Sequence, residues 1–427
     1  MDPLRSPLLT DLYQLTMLQA YYERDMTHTA VFELFVRKLP PGREFLVAAG
    51  LAQALEFVEV ARFGPEELEW IEASGLFAPG FAARLEQWRF TGDIHAMPEG
   101  TLFFPDEPVL RVAAPMPEAQ LLETRLLNLV HFETLIASKA AHVRRAAPGK
   151  KLIDFGLRRA HGAEAGLLAA RAAWIAGFDG TATALAAPRF GIPVFGTMAH
   201  SFVQAHDSES EAFAHFAAAF PQNAVLLVDT YDSVEGTRRA AATPGRLKGV
   251  RLDSGDLADL ARKARRILDE AGHREATIFA SGNLDEARIA ALEAAGAPID
   301  SYGVGTSLTT SADAPYLDAV YKLEAYGGRP RRKRSTGKAT WPGAKQVWRE
   351  VDAAGRFERD TISVEGDAHP GEPLLVPAML AGRRLEQPAL AESRSRCLAD
   401  LARLPAPKVV IAPALRRLAD EVDRTAF

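Results

Sequence analysis

Three charged residues in the sequence GVRLDSGDL, which spans residues 249–257, are candidates for binding an anion, a metal ion or a hydroxyl group. Arg251 follows a short apolar run, and a guanidinium group can grip phosphate or carboxylate through two parallel hydrogen bonds. Asp253 and Asp256 could hold Mg²⁺ through its water molecules, or accept hydrogen bonds from ribose hydroxyls. The alternative role is structural, because an aspartate in the first turn of a helix interacts favourably with the helix dipole.

His200 is the strongest single candidate in the chain. It lies a few residues after an apolar run, in GTMAHS, with Thr197 and Ser201 as neighbours. An imidazole in this setting can act as a general base, donate a hydrogen bond to phosphate, or act as a nucleophile that carries a phosphoryl group. The other histidines lack such neighbours, and we predict packing or solvent-exposed positions for them.

Two glycine-rich turns have the composition of a phosphate site. One is SGN at residues 281–283, and the other lies within SYGVGTSL at residues 301–308. Glycines leave backbone amides exposed, and a helix N-terminus attracts anions, so two adjacent turns could bind one phosphate. Either turn alone has an equally good steric explanation. The candidate residues are Ser281, Gly282, Asn283, Gly303, Gly305 and Thr306.

A repeated pattern positions these residues. Polar clusters follow apolar runs of four to six residues, the length of a strand that is buried on both faces. In a parallel α/β barrel the loops after the strands share one rim, and that rim carries the chemistry. The pattern therefore gathers around one mouth Arg158, Thr197, His200, Asp229, Arg251, Asp253, Asp256, Asn283, Gly305 and Thr306.

The βα repeat runs from about residue 151 to 324. It contains seven strand candidates, which predict an irregular barrel rather than a regular one of eight strands. The candidates begin near residues 152, 176, 193, 226, 249, 277 and 300, and the second is the weakest.

Three domains are predicted. An N-terminal α/β domain with a small β-sandwich element spans residues 1–117. The barrel spans 118–345 and is entered by a long helix over 118–146. A C-terminal segment over 346–427 is expected to pack back on the N-terminal part.

Composition restricts the functional classes. The chain has 427 residues, a net charge of −5 and a pI of about 6.1, which argues against nucleic-acid and membrane-surface binding. Cys397 is the only cysteine, so an intrachain disulfide and a cysteine-rich metal site are excluded. No apolar run approaches the ~20 residues of a membrane span. We predict a soluble, cytoplasmic protein with no membrane partner.

Two other features have ordinary explanations from the residues alone. Tyr13 lies in the first turn of a helix predicted over residues 8–24, where a half-buried aromatic is typical. The basic run at residues 329–334 has the composition of a nuclear localisation signal or a nucleic-acid patch. A solvated loop is the simpler interpretation of that run.

The motifs together resemble those of the nicotinate phosphoribosyltransferase family along nearly the whole chain. The resemblance implies the type II phosphoribosyltransferase fold, an irregular seven-stranded α/β barrel with an N-terminal α/β domain and a C-terminal segment. The matching stretches occur in the family's order: TDLYQLTM, FELFVRKLP, DFGLRRAHG, PVFGTMAHSF, LLVDTYDS, GVRLDSGDL, FASGNLDE, YGVGTSLTTS, VYKLEAYGGRPRRK and WPGAKQVWR.

The resemblance implies a reaction in NAD biosynthesis. Nicotinate and phosphoribosyl pyrophosphate would give nicotinate mononucleotide and pyrophosphate, with coupled hydrolysis of ATP as co-substrate. His200 would be phosphorylated by ATP, and Arg158 would bind a substrate anion. Mg²⁺ would be held by Asp253 or Asp256 through water.

The resemblance also implies how the substrates are bound. Thr197 and Arg251 would contact nicotinate, and Tyr13 would stack on the pyridine ring across a homodimer interface. The two glycine-rich turns, above all Thr306 with its neighbouring glycines, would hold the 5-phosphate. The basic segment matches a family stretch near the site, which brings Lys338 and Lys345 into consideration.

Two alternatives of different kinds stay open from the sequence. The first is a sibling enzyme that uses nicotinamide or quinolinate. The second is a catalytically idle barrel that binds phosphorylated metabolites. The negative net charge disfavours a third, nucleic-acid binding through residues 329–334.

Overall fold

The computed structural model describes residues 4–425. The chain divides into two compact units, one formed by Met1–Leu135 with Tyr316–Phe427 and the other by Ile136–Pro315. Within the described part of the chain, no helix has both the length and the apolar character that a bilayer crossing requires.

The N-terminal part of the first unit alternates helices with short strands. In chain order its elements are α1 (Leu12–Glu23), β1 (Thr29–Val36), β2 (Leu46–Val47), α2 (Leu51–Val60), α3 (Pro65–Ala73), α4 (Phe81–Glu86), β3 (Asp93–Ala96), β4 (Leu102–Phe103), β5 (Pro108–Pro115), α5 (Met116–Leu121) and α6 (Glu123–Ala146), whose last residues belong to the second unit.

The second unit is a βα repeat. Its elements are β6 (Lys151–Asp154), a 3₁₀ turn (Leu157–Arg159), α7 (Ala163–Ile175), β7 (Gly180–Thr181), α8 (Ala186–Phe190), α9 (His200–Gln204), α10 (Glu209–Ala219), β8 (Val225–Leu227), α11 (Ser233–Ala241), β9 (Gly249–Leu252), α12 (Leu257–Glu270), β10 (Thr277–Ala280), α13 (Glu286–Ala294), β11 (Ser301–Val304) and α14 (Thr306–Thr309).

The C-terminal part of the first unit is mainly β. It contains β12 (Ala319–Tyr326), β13 (Arg329–Pro330), β14 (Lys345–Val351), β15 (Phe357–Val364), β16 (Glu372–Pro373), β17 (Val376–Leu380), β18 (Arg383–Arg384), α15 (Leu390–Ala402), β19 (Lys408–Ile411) and α16 (Pro413–Thr425).

The sheets of the first unit join the two ends of the chain. Its seven-stranded sheet has the order β13-β12-β1-β5-β3-β17-β18, and a four-stranded sheet has the order β16-β14-β15-β19. Strand β17 pairs with β3, so the C-terminal segment packs back on the N-terminal part, as predicted. The strands predicted as a β-sandwich element are shared between the large sheet and the short β2-β4 pair.

Two boundaries differ from the sequence-based expectation. The helix predicted over 118–146 is two helices, because α5 ends at Leu121 and α6 begins at Glu123. Strand β12 lies within the predicted barrel domain, yet it pairs antiparallel with β1 and belongs to the first unit. The apolar sequence of β12 does not indicate which strand it pairs with, and this explains the difference.

The second unit is the predicted seven-position barrel. Six parallel strands have the order β7-β6-β11-β10-β9-β8, and Val194 continues the series through a parallel bridge to Thr181. Within the described residues, β8 and the Val194 position are not paired with each other. The barrel therefore has one open seam, between its third and fourth strand positions.

The second strand lies later than predicted. The sequence places it near Ile175, but Ile175 is the last residue of α7, and the strand is Gly180–Thr181. The apolar run around residues 172–176 is the buried face of α7. Gly177, with a φ of 99°, follows the end of that helix and lets the chain turn into the strand.

Candidate active site

The predicted rim exists, and it concentrates polar side chains at the carboxyl ends of the barrel strands. Asp229 follows β8, Asp253 follows β9, and Ser281 follows β10, while Thr197 and His200 follow the Val194 position. Parallel strands bring these ends to one edge, which is why residues far apart in the sequence meet there.

Arg251 is the centre of one hydrogen-bond network. Its Nε donates to Ser281 Oγ at 2.8 Å, and its Nη2 donates to Asp253 Oδ1 at 2.8 Å. Its Nη1 lies 3.4 Å from Thr197 Oγ1, a longer and weaker contact. The guanidinium carbon also lies 5.1 Å from the centroid of the Phe155 ring. These contacts hold the group in one orientation and leave Nη1 the least engaged nitrogen.

Asp253 is a stable carboxylate. Burial opposes its charged form, but hydrogen bonds from Ser281 and Arg251 and the positive charge of Arg251 outweigh burial and lower the pKa. Its Oδ1 accepts from both partners. No described residue donates a hydrogen bond to its Oδ2, so this oxygen is available to a water molecule or a metal-bound water.

His200 and Asp229 form a second network across the barrel seam. His200 Nε2 lies 3.2 Å from Asp229 Oδ1. The other oxygen, Oδ2, accepts from the Asp253 amide at 3.2 Å and from Ser254 Oγ at 2.6 Å. The Asp229 side chain is 2% exposed and that of His200 is 41% exposed. A buried carboxylate thus orients a solvent-accessible imidazole, whose Nδ1 makes no hydrogen bond within residues 4–425.

The two glycine-rich turns lie side by side. Ser307 Oγ donates a hydrogen bond to the carbonyl of Leu284, which joins the turn after β11 to the turn after β10. Gly282 has a φ of +97°, and a Cβ there would lie 1.9 Å from the Asp253 carbonyl oxygen. Only glycine fits this position, because a side chain would collide with the backbone of the neighbouring loop.

A second close approach explains Gly303. A Cβ at this position would lie 2.9 Å from the rings of Phe155 and Phe279. The absence of a side chain lets both rings pack against β11, with their centroids 5.4 Å apart. Thr306 is exposed and begins the short helix α14, with Gly305 before it. Asn283 has a φ of 51° and is also exposed.

Two predicted rim residues are outside these networks. Asp256 is the N-cap of α12, where its Oδ1 accepts from the amides of Ala258 and Asp259 at 3.1 Å each. This is the structural alternative considered from the sequence. Arg158 is exposed on the 3₁₀ turn after β6 and forms no hydrogen bond or ion pair within residues 4–425. Its guanidinium is therefore free to bind an anion.

Few side chains of the candidate site could bind a metal ion. Among the described residues, no cluster of three or more His, Cys, Asp or Glu side chains has the arrangement of a metal site. Asp253 fits a water-mediated cation because it is charged and has one unused oxygen. Asp256 fits less directly, since one of its oxygens already caps a helix.

The remaining candidates lie in the first unit. Tyr13 is 48% exposed on α1. It lines a cavity of about 300 Å³ with Asp11, Glu123, Thr124 and His131 among its neighbours. Partial burial and the nearby Glu123 carboxylate raise the pKa of the Tyr13 hydroxyl, which is therefore neutral at physiological pH.

The basic segment contains both buried and exposed charged side chains. Lys345 is buried against Glu33, with Nζ 2.8 Å from Glu33 Oε2, whereas Lys338 is exposed. Within residues 329–334, Arg332 pairs with Asp423 of α16, and most of the other charges are exposed. The interpretation as a largely solvated loop therefore agrees with the structure.

Phe155 and Ser254 contact the candidate site, although the sequence did not point to them. Phe155 directly follows β6, the same position along its strand that the polar candidates occupy along theirs. Its apolar side chain concealed this relation. Ser254 lies between Asp253 and Asp256, which were the candidates in this stretch of sequence. Its hydrogen bond to Asp229 forms only because the fold brings the loops after β8 and β9 together.

Comparison with known proteins agrees with the geometry. Residues 8–131 match the model of the nicotinate phosphoribosyltransferase (NAPRTase) N-terminal domain, and residues 150–327 match that of the nicotinate phosphoribosyltransferase (NAPRTase) family. Nicotinate phosphoribosyltransferase pncB2 of Mycobacterium tuberculosis is 49% identical, with 97% of this chain and 89% of the relative covered. Nicotinate phosphoribosyltransferase of Bacillus subtilis is 43% identical over 84% of this chain and 76% of the relative.

Solved structures give the same result. The crystal structure of human nicotinic acid phosphoribosyltransferase superposes with a TM-score of 0.86 at 31% identity, covering 97% of this chain and 100% of the human one. The nicotinate-nucleotide pyrophosphorylase of Pyrococcus furiosus superposes with a TM-score of 0.78 at 26% identity, covering 95% and 98%. The fold is thus the type II phosphoribosyltransferase fold, and the chain belongs to the nicotinate phosphoribosyltransferase family.

Proposed function

We propose that this chain forms nicotinate mononucleotide and pyrophosphate from nicotinate and phosphoribosyl pyrophosphate, and couples the reaction to ATP hydrolysis through a phosphohistidine at His200. The observation that carries the proposal is the juxtaposition of two networks on one rim. One holds Arg251 with Thr197, Asp253 and Ser281, and the other holds His200 on Asp229.

Nicotinate would bind at Arg251. Its Nη1, beside Thr197, is the donor left for the substrate carboxylate, while Nε and Nη2 stay on Ser281 and Asp253. The Phe155 ring, stacked near the guanidinium, offers a flat surface to the pyridine ring. A neutral amide in place of the carboxylate would lose a charge-assisted hydrogen bond, which favours nicotinate over nicotinamide by about 1–3 kcal/mol.

The phosphoribosyl group would lie between the two glycine-rich turns and Arg158. Departure of pyrophosphate from C1 leaves an oxocarbenium-like centre, so catalysis depends on positioning the ring nitrogen and stabilising the leaving oxygens. Backbone amides near Gly282, Gly305 and Thr306 would hold the 5-phosphate. Arg158, which is exposed and free of ion pairs within residues 4–425, would bind the pyrophosphate.

Mg²⁺ supplies charge neutralisation on the leaving pyrophosphate when it is bound. Asp253 would hold it through a water molecule on Oδ2, since Oδ1 is occupied by Ser281 and Arg251. Asp256 would contribute through the carboxylate oxygen that does not cap α12.

Phosphorylation would occur at Nδ1 of His200. Nε2 is engaged by Asp229, so the lone pair on Nδ1 would attack the γ-phosphorus of ATP as the bond to ADP breaks. Asp229 would stabilise the resulting positive charge on the ring. Water would later attack the phosphorus, releasing phosphate and returning the imidazole, so one ATP and one water give ADP and phosphate.

The predicted homodimer belongs to the same proposal. The Tyr13 ring is half exposed on α1 and has the flat apolar face that stacking on a pyridine ring requires. Its role would be to cover the bound substrate across the interface between two copies of the chain.

The proposal is tested by one assay in three arms. Nucleotide formation is measured with nicotinate, nicotinamide or quinolinate, each with and without ATP. We expect turnover with nicotinate, stimulated by ATP. Mass spectrometry after incubation with ATP should place one phosphate on the peptide that contains His200.

The control is His161→Asn, because His161 is an exposed histidine in the same unit. This variant should retain phosphorylation, whereas His200→Asn should lose it. A preference for nicotinamide or quinolinate would indicate the sibling enzyme. Binding of phosphoribosyl pyrophosphate without turnover of any acid or amide would indicate the non-catalytic barrel.

A further inference from the structure

A buried lysine forms ion pairs with the segments that follow the two glycine-rich turns. Lys139 is on the part of α6 that belongs to the second unit, and its side chain is 2% exposed. Its neighbours Ala137, Ser138, Ala140 and Ala141 are fully buried, so this turn of the helix is part of the core. A lysine in such a place is retained only where its charge is paired.

Lys139 has a carboxylate partner on each of two loops. Its Nζ lies 2.8 Å from Glu286 Oε1 and 2.5 Å from Oε2, and 2.7 Å from Asp313 Oδ1. Glu286 is the first residue of α13 and follows the 281–283 turn by three residues. Asp313 lies shortly after α14 and the 303–306 turn. One ammonium group therefore joins the segments that follow both turns.

The same two segments are joined at a second point. Ser307 Oγ donates to the Leu284 carbonyl, closer along the chain to both turns than Glu286 and Asp313 are. The lysine and the serine together fix the distance between the turns. Without the ammonium, Glu286 and Asp313 would lose the cation that lies between them, and the two carboxylates would repel each other.

We propose that Lys139 is a positioning residue that sets the spacing of the two phosphate-binding turns, and thereby the affinity for the 5-phosphate of the phosphoribosyl substrate. The inference rests on the function proposed above. Lys139 does not touch the substrate. Its effect is on geometry, where a displacement of the order of 1 Å in the turns can change the rate by about 10²-fold.

The test compares Lys139→Met with two other variants. Lys139→Arg keeps the charge and should rescue binding. Lys150→Met is the matched control, because Lys150 makes a similar tie at the opposite end of the barrel. Its Nζ donates to the Ile299 carbonyl at 2.6 Å and lies 3.8 Å from Glu293.

Lys139→Met should raise KM for phosphoribosyl pyrophosphate about tenfold or more, with a much smaller change in KM for nicotinate. Calorimetric titration with ribose 5-phosphate should show the same loss of affinity without turnover. Lys150→Met should lower the unfolding temperature and leave both constants unchanged. Equal constants for Lys139→Met and Lys150→Met would overturn the inference, as would failure of Lys139→Arg to rescue binding.

Two further variants guard against a failure of folding. Glu286→Gln and Asp313→Asn each remove one half of the tie while Lys139 keeps its other partner, and each should weaken ribose 5-phosphate binding. Normal binding by both would overturn the inference. If the wild type binds ribose 5-phosphate but forms no nucleotide, the proposed function fails and the binding comparison still decides the role of Lys139. If the wild type neither forms nucleotide nor binds ribose 5-phosphate, both fail.

Discussion

Asp229 divides its two carboxylate oxygens between the two networks of the candidate site. Oδ1 faces His200, while Oδ2 accepts from the Asp253 amide and from Ser254. A change at His200 is therefore felt at the loop that carries Asp253, through one buried side chain. This single residue would support both the proposed phosphohistidine and the proposed substrate site.

Asp229→Asn should abolish most phosphorylation while leaving the fold intact. The amide oxygen would face the Asp253 amide and Ser254, which donate, so the amide NH₂ would face His200 Nε2. Nε2 would then have to accept, and the proton would lie on Nδ1, which is the wrong tautomer for attack. We expect phosphate incorporation from γ-labelled ATP to fall by about 10²-fold or more.

The control is Asp232→Asn, which alters the cap of α11 and not the imidazole. That variant should be labelled at the wild-type rate. Labelling of Asp229→Asn at the wild-type rate would show that Asp229 does not select the tautomer.

Arg251→Lys should separate charge from geometry. Lysine keeps the positive charge but has no second and third nitrogen to hold Ser281, Asp253 and Thr197 together. We expect kcat/KM for nicotinate to fall by about tenfold to a hundredfold, corresponding to roughly 1–3 kcal/mol. The measured preference for nicotinate over nicotinamide should shrink in parallel.

Arg262→Lys is the comparison for this substitution, because Arg262 makes one exposed contact with the Ala295 carbonyl. It should leave the kinetics unchanged. An Arg251→Lys enzyme with an unchanged ratio between the two substrates would remove Arg251 from carboxylate recognition.

Residue type pointed to part of the candidate site and concealed another part. Arg251, Asp253, Ser281, Thr197 and His200 were singled out because charged and hydroxyl side chains are unusual directly after buried strands, and the structure brings them together. Phe155 was missed because an aromatic residue after a strand is read as core. The cap formed by Asp256 was one of two alternatives that only coordinates separate.

At the scale of elements, the barrel could be read from its repeat because each buried strand is a separate apolar run. The failures have physical causes. The second strand has only two residues and follows an apolar helix. The longer apolar run at the end of that helix was therefore interpreted as the strand. The open seam beside Val194 could not be foreseen either, since pairing between strands leaves no trace in a single sequence.

Gly282→Ala should damage both stability and substrate binding. The residue has a φ of +97°, and its new Cβ would lie 1.9 Å from the Asp253 carbonyl oxygen. The strained backbone costs about 1–3 kcal/mol, and the collision must also move the loop that carries Asp253. We expect a lower unfolding temperature and a KM for phosphoribosyl pyrophosphate that rises by about tenfold.

Gly272→Ala is the control that measures the cost of backbone strain without a steric collision. Gly272 has a φ of +84°, and a Cβ there meets no atom within 4 Å. It should show a similar or smaller loss of stability, about 1 kcal/mol, with no kinetic effect. Matching kinetics for the two variants would mean that the 282 turn does not contact substrate.

At the scale of the whole molecule, the first unit is assembled from both ends of the chain around a buried charge cluster. Glu33 of β1, Glu324 of β12 and Lys345 of β14 meet there, with Lys345 Nζ 2.8 Å from Glu33 Oε2 and 3.8 Å from Glu324 Oε2. The sequence predicted that the tail returns to the N-terminal part. It did not predict this cluster, because Glu33 lies about 300 residues before Glu324 and Lys345 in the chain.

Glu33 and Glu324 share the single ammonium of Lys345, and Glu324 is the carboxylate whose protonated form is favoured. Burial raises the pKa of Glu324 to about 8, an effect that Glu33 increases and that Lys345, Lys322 and a hydrogen bond from Thr340 reduce. Glu324 binds a proton more readily in the folded than in the unfolded chain. Its stabilising contribution is therefore complete below the unfolded pKa of about 4.5, and is lost as the pH rises through about 8.

Glu324→Gln should remove this pH dependence. Glutamine resembles the protonated acid, so the variant should be no more stable than the wild type at pH 5 and more stable at pH 9. The difference in unfolding temperature should grow between pH 5 and pH 8, by roughly 2–4 °C for each kcal/mol in a unit of this size. Burial also raises the pKa of Glu107, which contributes equally to both proteins and cancels in the comparison.

The matched control is Glu358→Gln, an exposed glutamate on β15. Its unfolding temperature should follow that of the wild type at every pH. Parallel curves for the wild type and Glu324→Gln would mean that Glu324 stays ionised in the folded chain. In that case the single ammonium of Lys345 would have to balance both carboxylates.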